Sequence, residues 1–303
     1  MADGVDGSVT RPPPEDLLLL GVGILGASSS GPLIAATAAP ALAIAFWRTG
    51  LGSVAVVPYA LVRSRGELRR ATTGAVALAL LAGVFLAVHF AAFVPSLRLT
   101  TVASAAALVC SQAIWAAVFG RLLGERLPRR AWVGTAIALV GVLLVTGVDV
   151  SLSTRALGGD ALAFAAGVFG GAYIVAGGRV RQRLSTTAYT AVCYSTCALL
   201  LLGVCLVAAQ PLSGYAAEDW VRIVALTVLA QLVGHSLFNL VLRSTSPTVV
   251  SLATLFTVPL SAIIAAIALG QTPPAAAVPA LAVILAGTAM VITAGERAPA
   301  AAD

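Results

Sequence analysis

Two histidines are the side chains most suited to acid–base chemistry in this sequence, and both lie inside apolar runs. His89 and His235 are the only histidines among the 303 residues, and 146 positions separate them. Because histidine can titrate near neutral pH, a matched pair could bind protons or form gates at opposite ends of a cavity. The alternative is structural, with each ring hydrogen-bonded to a neighbouring carbonyl or hydroxyl.

Other polar and aromatic side chains interrupt the apolar runs and could contact a solute. An unpaired amide in hydrocarbon is costly, so Gln112 should face a wet cavity or another helix. Residues 28–32 (SSSGP) and 167–173 (GVFGGAY) occupy corresponding positions of two runs and predict interrupted helices that line a path. Close packing through small residues is the alternative. The predicted substrate-cavity residues are Ser29, Ser30, His89, Gln112, Trp115, Tyr173, His235 and Thr257.

Two charged residues are candidates for structural or gating roles. Arg48 lies inside an apolar run, about 12 Å by helical rise from its start, where a guanidinium must find an anion, carbonyls or water. It could clamp a substrate carboxylate or hold a packing surface. Glu125 follows an apolar run and is surrounded by arginines, which favours an ion-pair cluster.

Several kinds of chemistry are missing from the pattern. No Asp, Glu or Lys lies in the middle of an apolar run. If the movement of a solute is coupled to protons, a histidine must therefore bind them. Without such coupling the protein would be a facilitator or exchanger driven by solute gradients. There is no phosphate loop, zinc spacing or Ser/His/Asp set, so neither an enzyme nor a bound cofactor or metal is expected. The four cysteines lie in apolar runs and are expected to act as small hydrophobic residues.

The composition predicts an all-α integral membrane protein. Hydrophobic residues make up 59% of the chain, charged residues make up 10%, and the mean hydropathy is +1.00. All 18 basic residues are arginines in short loops or tails, apart from Arg48. They do not form one soluble basic face, so nucleic acid is not an expected partner.

Ten runs are long enough to cross a bilayer. They lie at about 16–37, 40–62, 73–95, 101–123, 130–147, 158–178, 187–209, 220–242, 247–269 and 274–294. Residues 1–15 and 295–303 are expected to be tails, the first of them disordered. Fourteen arginines fall in the tails and after even-numbered runs, whereas three fall on the other side. This asymmetry predicts that both termini are cytoplasmic.

The chain also looks duplicated. A hairpin of two apolar runs near residues 102–145 returns 146 residues later, and the two histidines share that offset. Because five crossings per copy is an odd number, the second copy should be inverted relative to the first. The predicted repeats are residues 16–147 and 158–294.

Specific motifs in both halves resemble those of a known protein family. The first half contains Pro40 followed by Phe46, Trp47 and Arg48, then the Leu-Gly-Glu-Arg turn at 123–126, and then a fifth run with Gly134 and Gly141. In the second half, Ser246, Pro247 and Ser251 enter the ninth run, and Leu269 and Gly270 leave it. Over residues 16–294 the halves resemble the EamA domain of the drug/metabolite transporter superfamily.

The resemblance implies a ten-helix transporter whose cavity is lined by helices one, three, four, six, eight and nine. It also implies small metabolites such as amino acids as substrates, often moved outward. Two positions depart from the family pattern: Gln271 replaces a glutamate, and the seventh run has no arginine to match Arg48. Because helix two is peripheral in this family, a structural role for Arg48 is favoured.

The predicted function is therefore that of a bacterial inner-membrane exporter or facilitator of small organic solutes. A broad drug efflux protein is one alternative, and a membrane scaffold or partner subunit is another. Besides the solute and the bilayer, a second copy of the chain is a candidate partner, because the small residues Gly134, Gly141 and Gly287 could support a homodimer.

Overall fold

All regular structure in the described residues is helical. A computed structural model describes residues 13–124, 128–149 and 154–271, together with 278–280, 282–283, 286–287 and 290. Its long helices are α1 Pro14–Ala36, α2 Ala41–Arg63, α3 Thr73–Ser96, α4 Val102–Leu122, α5 Arg129–Asp149, α6 Thr154–Arg181, α7 Thr186–Val207, α8 Ala217–Val241 and α9 Pro247–Leu269. The short helix Arg65–Arg70 joins α2 to α3.

Eight of these helices, all except α5, are long and apolar enough to cross a membrane. Together they make the chain a multi-pass membrane protein. The helix bounds agree with the predicted runs to within about four residues. Most of the tenth run, Glu125 and nearly all of both tails lie outside the described residues, so the count of ten helices stays a prediction.

Hydroxyl side chains cap four of the helices at their N-termini. Thr72, Thr101, Ser185 and Ser246 each accept a hydrogen bond from the backbone N–H three residues later, at 3.1–3.3 Å. Such caps satisfy donors that have no partner within the helix. They fix where α3, α4, α7 and α9 begin.

Four of the long helices are interrupted. The helical geometry of α1 breaks at Ser29, and that of α4 breaks at Cys110 and Ser111. A wide π-helical segment, Thr227–His235, occupies the centre of α8, and a 3₁₀ turn, Thr254–Phe256, lies within α9. The predicted interruption near residues 28–32 is confirmed.

The prediction of an interrupted sixth helix is wrong, because α6 runs without a break from Thr154 to Arg181. Its glycines serve close packing instead. A Cβ on Gly171 would lie 2.7 Å from Cβ of Trp115 and 2.8 Å from the carbonyl oxygen of Gln112. These glycines therefore let the backbones of α6 and α4 approach each other closely.

The helices pack around a centre formed by α1, α3, α4, α6, α8 and α9. Helix α6 lies along α3 and α4, α1 lies along α8, and α2 lies along α7. The first half of α4 contacts the second half of α9, and the second half of α4 contacts the first half of α9. The two helices are thus antiparallel, and their interruptions meet at the crossing.

Part of the surface predicted to form a dimer contact packs against another helical segment of the same chain instead. A Cβ on Gly287 would lie 2.5 Å from the backbone nitrogen of Ala138 and 2.6 Å from the carbonyl oxygen of Gly134. Gly134 and Gly287 therefore pack against one another in the same protomer, which removes two of the three residues from the predicted dimer surface.

Candidate functional site

A cavity with polar groups in its lining lies where the interrupted helices meet. The cavity volume is about 90 Å³. Residues from α1, α2, α3, α4, α6, α8 and α9 line it: Ala27, Ser30, Gly31, Arg48, His89, Phe90, Phe93, Ala106, Val109, Cys110, Gln112, Gly170, Tyr173, Ile174, His235, Phe238, Asn239, Leu242, Val250, Thr254, Thr257 and Ser261. The lining combines one arginine and two histidines with no acidic residue.

The break in α1 supplies one wall of the cavity, and its cause is local. Pro32 has no N–H, so the carbonyl oxygen of Ser28, four residues earlier, loses its helical partner. The hydroxyl of Ser261 on α9 donates to that oxygen at 2.8 Å. Ser28 and Ser29 turn their own hydroxyls back onto Ile24 O and Gly26 O, at 2.6 and 2.7 Å. The interruption is thus stabilised by α9 as well as by α1.

The breaks in α4 and α9 meet at a second group of polar contacts. The Nε2 amide of Gln112 donates to the hydroxyl of Thr254 at 2.7 Å. Cys110 Sγ lies 3.5 Å from the carbonyl oxygen of Thr254 and 3.8 Å from the hydroxyl of Thr257. Gln112 has therefore found a partner on another helix beside the cavity, as its cost in hydrocarbon demands.

Phe90 is the centre of an aromatic and cationic cluster in the lining. The guanidinium carbon of Arg48 lies 4.0 Å from the centroid of the Phe90 ring, within the range of a cation–π contact. The His235 ring meets the same phenyl ring edge to face at 5.4 Å, and the neighbouring His89 ring lies at 5.0 Å. One buried phenyl ring thus places the arginine and both histidines around a common point.

The hydrogen-bond acceptor beside His89 shows which of its ring nitrogens carries a proton. His89 Nδ1 lies 2.8 Å from the carbonyl oxygen of Ala166 on α6. A carbonyl only accepts, so Nδ1 carries a proton and donates it. Both histidines line the same cavity beside Phe90, and His89 makes the kind of hydrogen bond to a carbonyl that the structural alternative predicts.

A tyrosine–asparagine pair completes the polar lining. Asn239 Nδ2 lies 2.7 Å from Tyr173 Oη, and that hydroxyl lies 3.0 Å from Asn239 Oδ1. Asn239 is buried and also lies within 3.5 Å of Tyr194 Oη. The pair connects α6 to α8 across the cavity.

Six of the eight predicted cavity residues line this cavity: Ser30, His89, Gln112, Tyr173, His235 and Thr257. Ser29 is not in the lining, because its hydroxyl folds back onto α1. Trp115 is not there either, since its ring packs on Phe119 and Phe164 at centroid distances of 5.9 and 6.1 Å. Arg48 is in the lining, contrary to the favoured placement at a peripheral packing surface.

Sequence reasoning missed Phe90 and Asn239 altogether. Asn239 did carry a signal, since it is the only asparagine of the chain, it lies in an apolar run, and it follows His235 by one helical turn. Phe90 is one of nine phenylalanines, and nothing in the sequence distinguishes it from the others.

The lining is suited to binding a small polar solute. It offers hydroxyl, amide and imidazole groups, one guanidinium, and several aromatic rings. Within the described residues, no group of three His, Cys, Asp or Glu side chains is placed to hold a metal ion.

Comparison with known proteins shows similarity to a family and to solved structures. The EamA-like transporter family matches residues 15–147 and 157–293. A solved structure described only as "Crystal structure of protein" is 20% identical, with a TM-score of 0.73 over 94% of this chain and 99% of that chain. At that identity the likeness shows a shared fold alone. No curated protein matches this sequence.

The family match confirms the resemblance inferred from the motifs. It covers most of the chain in two successive ranges, and the family is one of transporters rather than enzymes. Together with the eight membrane-spanning helices, these ranges identify the molecule. The chain belongs to the EamA-like transporter family.

Proposed function

We propose that this protein carries a small organic solute across the cell membrane by alternating access, as an exporter or a facilitator. The cavity between the interrupted helices is the observation that carries the proposal. Polar and interrupted helix is tolerated inside a bilayer where it is buried or lines a path, and here the interruptions of three helices converge on one cavity. The solute would bind there, with the cavity opening to each side in turn.

An inverted pair of five-helix repeats, at residues 16–147 and 158–294, would provide the two-fold arrangement that alternating access needs. Corresponding contacts support it. Helix α1 packs along α8 as α6 packs along α3, and α4 crosses α9 with the halves exchanged. His89 on α3 and His235 on α8 meet at the same cavity. Each half then contributes one wall, and rocking between the halves exposes the cavity alternately.

The cavity favours small metabolites over large drugs. Its volume of about 90 Å³ is far below the roughly 300–1,000 Å³ of pockets that hold drug-sized ligands. A solute of a few heavy atoms with hydroxyl, amide or carboxylate groups fits both its size and its polar lining. Amino-acid-like compounds and other small organic solutes are the classes we propose.

The loop arginines support an orientation with both termini in the cytoplasm, in a bacterial inner membrane. Most of the arginines lie in the loops that follow the even-numbered helices, and arginine-rich loops stay on the cytoplasmic side of the membrane. Since the lining holds no acidic residue, His89 and His235 are the side chains that would carry a coupled proton.

The test is flux through proteoliposomes that contain the purified protein. We expect uptake and efflux of a responsive solute to fall sharply when His89, Gln112 and His235 are replaced together by alanine, because the lining loses three of its polar groups. The matched control is Gln182→Leu, which changes an exposed glutamine that bonds the carbonyl oxygen of Arg243 outside the cavity. Unchanged flux in the triple variant would remove the site from the proposal.

A further inference from the structure

The cavity contains a fixed positive charge with no protein counter-ion. Arg48 is 1% exposed, and it lines the cavity eight residues into α2. No Asp or Glu is among the lining residues, and Arg48 is in neither of the ion pairs at Arg222 in the described part of the chain. The charge is therefore buried without the carboxylate that usually accompanies it.

Few protein atoms satisfy the guanidinium. Nη1 donates to the hydroxyl of Ser30 at 3.1 Å, and the Phe90 ring lies under the guanidinium carbon. Nε and Nη2 are buried and have no hydrogen-bond partner among the described residues. Two N–H-bearing nitrogens of the arginine fork are thus held in place without acceptors.

A charge held in this way inside a membrane protein points to a ligand. Charged side chains in spanning helices pair with one another or mark the path of a substrate, because an uncompensated charge in hydrocarbon is unfavourable. A purely architectural arginine would be expected to satisfy its remaining donors on carbonyls, as Arg98 does with the carbonyl oxygens of Thr37 and Ala39. Arg48 lacks such partners.

We infer that Arg48 binds the carboxylate of the transported solute, and that the solute is a small monocarboxylate without an ammonium group. This inference rests on the proposed transport function and, of its two solute classes, selects the other small organic solutes over amino-acid-like compounds. The planar N–H fork of arginine matches a carboxylate with two parallel hydrogen bonds. A single fixed charge suits a monoanion better than a phosphate dianion or a dicarboxylate.

The rest of the lining argues against a zwitterion. An ammonium group needs a carboxylate or several free acceptors, and the lining has no acidic residue. The Phe90 ring, which could receive a cation, already receives Arg48. Hydroxyl groups on the solute, which can accept as well as donate hydrogen bonds, would meet Gln112 and Thr257 in the lining.

The first test needs no variant. Thermal unfolding of the full-length protein in detergent is followed with monocarboxylates of two to six carbons, with and without hydroxyls, each paired with its carboxamide and its 2-amino acid. A ligand that binds the native state raises the melting temperature by mass action. We expect stabilisation by at least one carboxylate and a smaller shift with its amide and amino acid. Equal shifts within each trio, or no shift with any carboxylate, would overturn the inference.

Variants then separate charge from architecture. Arg48→Gln should weaken carboxylate binding by about 10- to 100-fold, the cost of losing charge-assisted hydrogen bonds, and Arg48→Lys should lie between that variant and wild type. Ser30→Ala removes the partner of Nη1 but keeps the charge, so it should preserve the preference for carboxylate over amide. If Arg48→Gln does not fold, the inference is still tested by Ser30→Ala and by the wild-type protein, each measured with the carboxylate, its carboxamide and its 2-amino acid.

Flux distinguishes the failure of this inference from that of the proposed function. Transport of neutral solutes or amino acids at rates that Arg48→Gln leaves unchanged would contradict the monocarboxylate assignment and keep the transporter. Absence of flux for every class, in proteoliposomes with correctly inserted protein, would count against both.

Discussion

At the cavity, Phe90 joins groups that the sequence places far apart. Its ring carries the Arg48 guanidinium on one side and meets the edge of His235 on another. A cation–π contact of this kind contributes about 0.5–2 kcal/mol, with the larger values at desolvated sites. Phe90 therefore holds the cation in position without neutralising it, which leaves the charge available to a solute.

The glycines of α6 act through the side chains they lack. Gly170 leaves room for Gln112 and His89, because a Cβ there would lie 2.5 Å from Gln112 Oε1 and 3.0 Å from His89 Nδ1. Gly171 makes the corresponding space for the backbone of α4. The close approach of α6 to α4 thus positions two of the cavity side chains.

This packing predicts a large effect of adding one methyl group. We expect Gly171→Ala to lower the free energy of unfolding by about 1–3 kcal/mol, the usual cost of overpacking. The new Cβ would lie 2.8 and 2.9 Å from backbone atoms of Gln112 and Ala116, which cannot move independently of α4. Thermal or denaturant unfolding in detergent provides the measurement.

The control lies in the same helix. Gly158 is exposed and a Cβ there has nothing within 4 Å, so Gly158→Ala should be neutral or stabilising by up to about 1 kcal/mol. A loss in Gly158→Ala as large as that in Gly171→Ala would contradict the packing explanation, because a methyl group added at Gly158 meets no neighbouring atom.

At the scale of elements, the interruptions of α1, α4 and α9 are joined to one another. Ser261 of α9 satisfies the carbonyl that Pro32 frees in α1, and Gln112 of α4 bonds Thr254 of α9. Backbone groups released from a helix are costly in a bilayer unless neighbouring helices bind them. The break in α1 is therefore stabilised by α9, and α9 is also bonded to α4 beside the break in that helix.

The α4–α9 contact can be measured by a double-mutant cycle. Gln112→Leu and Thr254→Val should show a coupling energy of about 0.6 kcal/mol, and at most about 1.7 kcal/mol, as for other hydrogen bonds between membrane helices. The readout is the free energy of unfolding of the two single variants and the double variant.

Thr196→Val serves as the control partner in that cycle. The Thr196 hydroxyl bonds Val192 O within its own helix, so its change should be additive with Gln112→Leu. Additivity for Thr254→Val as well would show that the 2.7 Å contact does not hold the two breaks together.

The elements could be predicted well from the sequence, except where the hydrogen-bond pattern inside a helix changes. Apolar runs bounded by caps and arginines gave the bounds of nine helices, and Pro32 with three serines revealed the break in α1. The π-helical segment of α8 and the break at Cys110 contain no proline, so the sequence carries no comparable signal for them. The glycines of α6 led to a wrong prediction of an interrupted helix, because glycine is typical both of helix interruptions and of close helix packing.

At the scale of the whole molecule, the polar site residues could be predicted because polar groups in hydrocarbon are rare and costly. Six of the eight predicted residues line the cavity. Ser29 and Trp115 were misplaced because periodicity does not reveal which side of a break a residue faces. Arg48 was expected at a packing surface because its helix is peripheral by position, whereas its long side chain reaches the cavity.

We propose that the cavity between the two halves is the transport site and that it opens to either side of the membrane. Cys110 offers a native reporter, since its thiol lines the cavity, whereas Cys193, Cys197 and Cys205 are buried elsewhere. A variant that keeps Cys110 alone, with the other three replaced by alanine, makes the cavity the single source of thiol reactivity. A variant that keeps only Cys193 is the matched control.

The decisive measurement is the labelling of that single Cys110 by a membrane-impermeant methanethiosulfonate reagent in right-side-out and inside-out vesicles. We expect reaction from both sides, slower when a transported solute is present, and no reaction of the Cys193 control. Reaction from one side only, or none in vesicles that still transport solute, would contradict the proposed transport site.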